Sequence, residues 1–105
     1  MVHHVALYKL RPNLAAGTVD EMIRRTKSLL LKIPEVLSVR SGKQIEPDAE
    51  WPFFVALDFD SRAKQAMFHD DPIYLKFLLE VIEPYTTECM AMDYEMEPGK
   101  NVKYS

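Results

Sequence analysis

The chain has 105 residues, a net charge of −3, 48% hydrophobic and 28% charged residues, and a single cysteine. One domain of this length buries roughly two-thirds of its unfolded surface, enough for one modest core. Scattered Lys and Arg and a slightly acidic balance argue against nucleic acid or an anionic membrane as partner. No apolar run approaches the length of a membrane span, and Cys89 has no second cysteine for an intrachain disulfide. The first residues carry a strand pattern instead of a charged, apolar leader, so the reducing cytoplasm is the expected location.

In chain order, residues 2–10 are rich in strand formers and end at Arg11-Pro12, because proline cannot continue a ladder. Thr18 and Glu21 read as a capping box opening a helix. Val19, Met22, Ile23, Thr26, Leu29, Leu30 and Ile33 follow at helical spacing, and Pro34 stops it. A second strand is expected over 36–44, a loop over 45–52 and a third strand over 53–58. Ser61 caps a short helix running to Phe68. Asp71-Pro72 restarts the helix, with Asp as cap and Pro at the first helical position. Tyr74, Phe77, Leu78, Val81 and Ile82 form its apolar stripe, and Pro84 ends it. A fourth strand covers 87–96. The expected division is a domain over 1–97 and a C-terminal tail over 98–105.

The order strand, helix, strand, strand, helix, strand predicts an α+β, ferredoxin-like βαββαβ fold: a four-stranded antiparallel sheet with two helices on one face. The opposite face should then be bare, yet both faces carry large apolar groups. His4, Ala6, Tyr8 and Leu10 alternate with His3, Val5, Leu7 and Lys9 in the first strand. In the fourth, Cys89 and Ala91 alternate with Met90, Met92, Tyr94 and Met96. A wet face would alternate cleanly, and monomers seldom expose so large an apolar patch. A second copy packing sheet to sheet, a homodimer, is the expected remedy.

Several stretches resemble the stress-responsive A/B barrel domain (Dabb) family. They are His4-Val5-Ala6-Leu7-Tyr8-Lys9-Leu10, the run from Lys32 to Lys43, Asp71-Pro72-Ile73-Tyr74-Leu75-Lys76-Phe77, Ile82-Glu83-Pro84 and Met92-Asp93-Tyr94-Glu95. The matches are collinear and span nearly the whole chain. The resemblance implies a dimeric α+β barrel. In its cyclase-like members it implies a pocket between sheet and helices, lined by a first-strand histidine, here His4, and by a His-Pro-x-His segment. In this chain that segment reads Asp71-Pro72-Ile73-Tyr74, and Phe68 replaces the usual upstream tyrosine. A tyrosine of ordinary pKa costs about 4 kcal/mol to use as a base at neutral pH, so Tyr74 suits hydrogen-bond donation better than proton abstraction.

His4 is accordingly the candidate base, with a structural histidine as the plain alternative. Tyr74 is its candidate donor. Tyr8, Ile23, Val39, Val55, Phe68 and Phe77 are the candidate pocket lining, although apolar stripes are first of all core. His69 beside Asp70 and Asp71 reads as turn and cap chemistry rather than a metal site. Cys89 lacks a nearby cation to activate it. Nothing marks a haem, flavin or phosphate site, and no metal or other cofactor is expected. The functional expectation is a homodimer binding a small hydrophobic or aromatic compound. A cofactor-independent cyclase, isomerase or lyase using His4, and a non-catalytic structural dimer, remain open beside it.

Overall fold

A computed structural model of the chain describes residues 1–97; the tail expected over 98–105 lies outside the described residues. The elements are β1 (Val2–Leu10), α1 (Thr18–Leu30), β2 (Ser38–Lys43), β3 (Phe53–Phe59), α2 (Arg62–His69), α3 (Pro72–Phe77) and β4 (Thr86–Glu95). Between α3 and β4 the helix widens into a π-helical turn, Leu78–Ile82. The four strands form one antiparallel sheet in the order β2-β3-β1-β4. This is the ferredoxin-like arrangement that the element order predicts. Among the described residues, no helix is long and apolar enough to cross a membrane.

The second helical segment is split as its capping residues dictate. The Ser61 hydroxyl accepts from the Lys64 amide at 3.2 Å and starts α2. The Asp71 carboxylate accepts from the Ile73 amide at 2.8 Å, with Pro72 at the first turn, and starts α3. The start of α1 differs from expectation. Gly17, not Thr18, occupies the N-cap, in a left-handed conformation with φ 86°, and no side chain caps the helix. A turn closed by Thr18 N–H to the Ala15 carbonyl brings the chain into the helix one residue early. Thr18 is therefore already inside the first turn, and the Glu21 carboxylate pairs with Arg24 instead of reaching back.

The core lies between the sheet and the helices. Phe53, Leu57 and Phe59 from β3 meet Met22 and Leu30 from α1, Phe68 from α2, Phe77 from α3 and Val81 from the π-helical turn. Thr26 is fully buried on α1, and its hydroxyl donates to the Met22 carbonyl at 2.7 Å, which satisfies it within the helix. On the other sheet face, Val5 lies opposite Ala56 and Met92, and Leu7 opposite Phe54 and Met90. No helix covers this face, and Val5, Leu7, Phe54 and Met92 are only half-buried. At one corner it carries a polar cluster: Asp58 accepts from His3 Nδ1 and from the Ser38 hydroxyl, each at 2.6 Å, with Arg40 3.6 Å away.

Candidate functional site

Residue parity on β1 and its register with β4 put His4 directly opposite Asp93 on the helix-facing side of the sheet. His4 Nδ1 donates to Asp93 Oδ1 at 2.7 Å. The same oxygen accepts from Gln65 Nε2 at 2.8 Å, an amide carried by the buried face of α2. Burial alone pushes the Asp93 carboxyl up. The hydrogen bonds from His4 and Gln65, with the charges of His4 and Arg62, outweigh this and hold it below its ordinary range. A carboxylate only accepts, so Nδ1 carries the proton, and in the neutral ring Nε2 keeps its lone pair. Sequence reasoning missed Asp93 and Gln65 as members of the site. The available signal was a charged residue at a helix-facing position of the fourth strand, two residues beyond Ala91.

A run of rings borders this pair. The His4 and His69 ring centroids are 6.5 Å apart, edge to face. His69 lies 5.5 Å from Tyr74, and Tyr74 lies 4.2 Å from Phe68 and 6.3 Å from Phe77. The break between α2 and α3 allows this, because it turns the end of one helix and the start of the next toward the same strand pair. Burial raises the Tyr74 pKa, with a further push from Cys89, so the phenol stays protonated and able to donate. Tyr8, opposite Cys89 on the neighbouring strand, is raised much further by burial and then by Cys89 and Tyr74. The Cys89 thiol is itself raised by burial, only partly offset by its hydrogen bond with Tyr8, which leaves it a poor nucleophile.

The structure thus links His4 to Tyr74 only through the ring of His69, and Tyr74 in turn packs on Phe68 and Phe77. Tyr8, Val55, Phe68 and Phe77 are at most 6% exposed and are packed as core. Ile23 and Val39 are partly buried against that core. Val39 is two strands from His4, with Leu57 between them. Open space lies at the margin. A depression of about 240 Å³ is walled by Arg62, Gln65, Ala66, His69 and Asp93. A second, of about 280 Å³, shares Arg62 and Asp93 with it and continues past Ser61 to Met1. The helices leave the edge strand uncovered here, so that Cys89 and Ala91 are exposed although they face the helical side. Trp51 anchors the 45–52 loop, with the Lys9 ammonium 5.0 Å above its ring.

Solved structures of similar fold are numerous. A Dabb family protein from Mesorhizobium loti is 18% identical with a TM-score of 0.78, covering 92% of this chain and 97% of that one. A dimeric ferredoxin-like protein of unknown function from Thermobifida fusca is 21% identical with a TM-score of 0.79, covering 90% of each chain. A hydroxynitrile lyase from Passiflora edulis is 21% identical with a TM-score of 0.76, covering 92% of this chain and 96% of that one. At these identities the likeness shows the fold. No curated protein sequence matches the chain. The model of the stress responsive A/B barrel domain matches residues 2–96, almost the whole described chain, and the protein belongs to that family.

Proposed function

We propose that this protein is a homodimer that binds a small, largely apolar molecule beside the β1–β4 edge, and that His4 serves there as a general base. The observation carrying the catalytic part is the His4–Asp93 hydrogen bond. It fixes the tautomer and orientation of the imidazole, and it stabilises the imidazolium formed when Nε2 takes a proton. Tyr74, held as a phenol, supplies a hydrogen bond to the oxygen of the ligand. The half-buried Tyr74, backed by the core ring of Phe68, offers a ring edge to an aromatic group. Such a reaction needs only proton transfer and no cofactor. The dimer is supported by the uncovered apolar face of the sheet and by relatives of the same fold that are dimeric.

An aromatic hydroxynitrile is the first substrate to test, because a protein of similar fold is a hydroxynitrile lyase. His4 Nε2 would remove the hydroxyl proton, the carbon–carbon bond to the nitrile would break, and an aldehyde and cyanide would leave. Aldehyde release from mandelonitrile is the activity readout, and an NMR titration with benzaldehyde is the binding readout. His4→Ala is expected to lower turnover by about 10²- to 10⁴-fold while the variant keeps its melting temperature. A parent that neither turns over the nitrile nor binds benzaldehyde refutes the proposal. The filled core between sheet and helices supports a second reading, a structural dimer without chemistry. A dimeric parent that neither binds benzaldehyde nor turns over any of a panel of hydroxyl and carbonyl compounds would select it.

A further inference from the structure

We infer that His69 is the second proton-handling group of this cleft, acting as donor to the negatively charged end of the ligand; the inference rests on the reading of His4 as base. His69 is the last residue of α2, where the helix dipole favours a cation. Its ring is exposed to the depression it shares with Arg62, Gln65, Ala66 and Asp93. Three rings hold it edge-on: Phe68 at 5.4 Å, Tyr74 at 5.5 Å and His4 at 6.5 Å. Among the described residues, no hydrogen bond engages either nitrogen of His69. The ring is thus positioned by packing, while its polar atoms remain uncommitted. That is unlike His3 and His4, whose Nδ1 atoms are each taken by a carboxylate.

The two imidazoles suit complementary tasks. His4 Nε2 takes a proton from the ligand hydroxyl. The electron pair of the bond that breaks departs with the leaving group, which becomes an anion. The His69 imidazolium gives that anion a proton and becomes neutral. His4 has then gained one proton and His69 has lost one, and a single exchange through water restores both. The charged and titratable groups facing His69 are Arg62 on its own helix, His4 from β1, Tyr74 from α3 and Asp93 from β4. Asp70 and Asp71 follow in the turn. Burial keeps the Tyr74 phenol neutral and the bonds from His4 and Gln65 keep Asp93 a carboxylate. Imidazole is the side-chain type whose ordinary titration falls between about pH 5 and pH 8.

The test uses two probes of equal ring size, benzoate and benzyl alcohol, titrated against the whole chain by NMR at about pH 5.5 and about pH 8. Benzoate is expected to bind about tenfold tighter at the lower pH, as for a hydrogen bond to a charged group. The gain between the two pH values should vanish in His69→Gln and survive in His4→Gln, whatever either substitution does to affinity at the higher pH. In the parent, the imidazole nitrogen shifts of His69 should titrate at higher pH when benzoate is bound, which needs no variant. A benzoate gain that persists in His69→Gln, or a His69 titration indifferent to benzoate, overturns the inference. If benzyl alcohol binds and benzoate shows no pH dependence, His69 fails as donor while the binding site stands. If neither probe binds, both the inference and the reading beneath it fall.

Discussion

Strands β3 and β4 belong to one sheet and have similarly apolar sequences, Phe-Phe-Val-Ala-Leu-Asp-Phe against Cys-Met-Ala-Met-Asp-Tyr, yet their surroundings are opposite. Phe53, Leu57 and Phe59 of β3 are at most 2% exposed, whereas Met90 and Tyr94 of β4 are 38% and 52% exposed. The difference comes from position in the strand order. β3 lies inside the sheet beneath the helices, and β4 is an edge that the helical layer does not reach. Apolar residues in β3 stabilise the fold of one chain. In β4 the same chemistry stays exposed on both sides of the sheet, and these are the surfaces on which the proposed second copy and ligand would sit.

The largest test of this contrast is Phe59→Ala, expected to lower the unfolding free energy by about 3–5 kcal/mol in urea titrations. Met90→Ala should change it by under about 1 kcal/mol in a monomeric background; equal losses would break the comparison. Next is Met90→Lys, which places a charge at the β4 margin of the uncovered face. Association should weaken by about a hundredfold, giving a monomer by light scattering at micromolar concentration with an unchanged circular dichroism spectrum. A variant as dimeric as the parent would move the interface elsewhere. Gly17→Ala tests the helical layer. The added methyl meets open space, so the expected loss of about 1–2 kcal/mol is backbone strain alone. The smallest effect is at Asp58. Burial raises its carboxyl, but the bonds from His3 and Ser38 and the charge of Arg40 win and hold it low. That stability is present above the ordinary carboxylate value near 4 and disappears as pH falls through the folded value. Between about pH 5 and pH 3 the parent should lose more stability than Asp58→Asn, by at most about 1 kcal/mol.

The fold was readable because its signals are local. Pro12 and Pro84 follow closely on the ends of elements, Ser61 and Asp71 begin helices, and strand alternation sets which side chains share a face. Helix α1 stops at Leu30, short of Pro34, with Lys32 and Ile33 in turns closed onto Leu29 and Leu30. The N-cap at Gly17 escaped because a left-handed turn is a backbone event, and Thr18 with Glu21 imitates a cap in sequence. His4 could be singled out from its strand, but its partner could not. Asp93 is 89 residues away, and the register of β1 with β4 depends on a long connection rather than a tight hairpin. His69 looked like a turn residue, since its approach to His4 and Tyr74 requires knowing how the chain bends between α2 and α3.

The widened turn at Leu78–Ile82 also sets how this protein can vary. A residue of α-helix advances the chain by about 100° around the axis. Deleting the exposed Leu79 would remove the one residue by which this turn exceeds regular winding, so Val81 and Ile82 would keep facing the interior. Inserting a residue would swing them out and deliver the chain to β4 out of phase with His4. The turn therefore tolerates a change of length in one direction, and a single-residue insertion should survive in the 45–52 loop but not here.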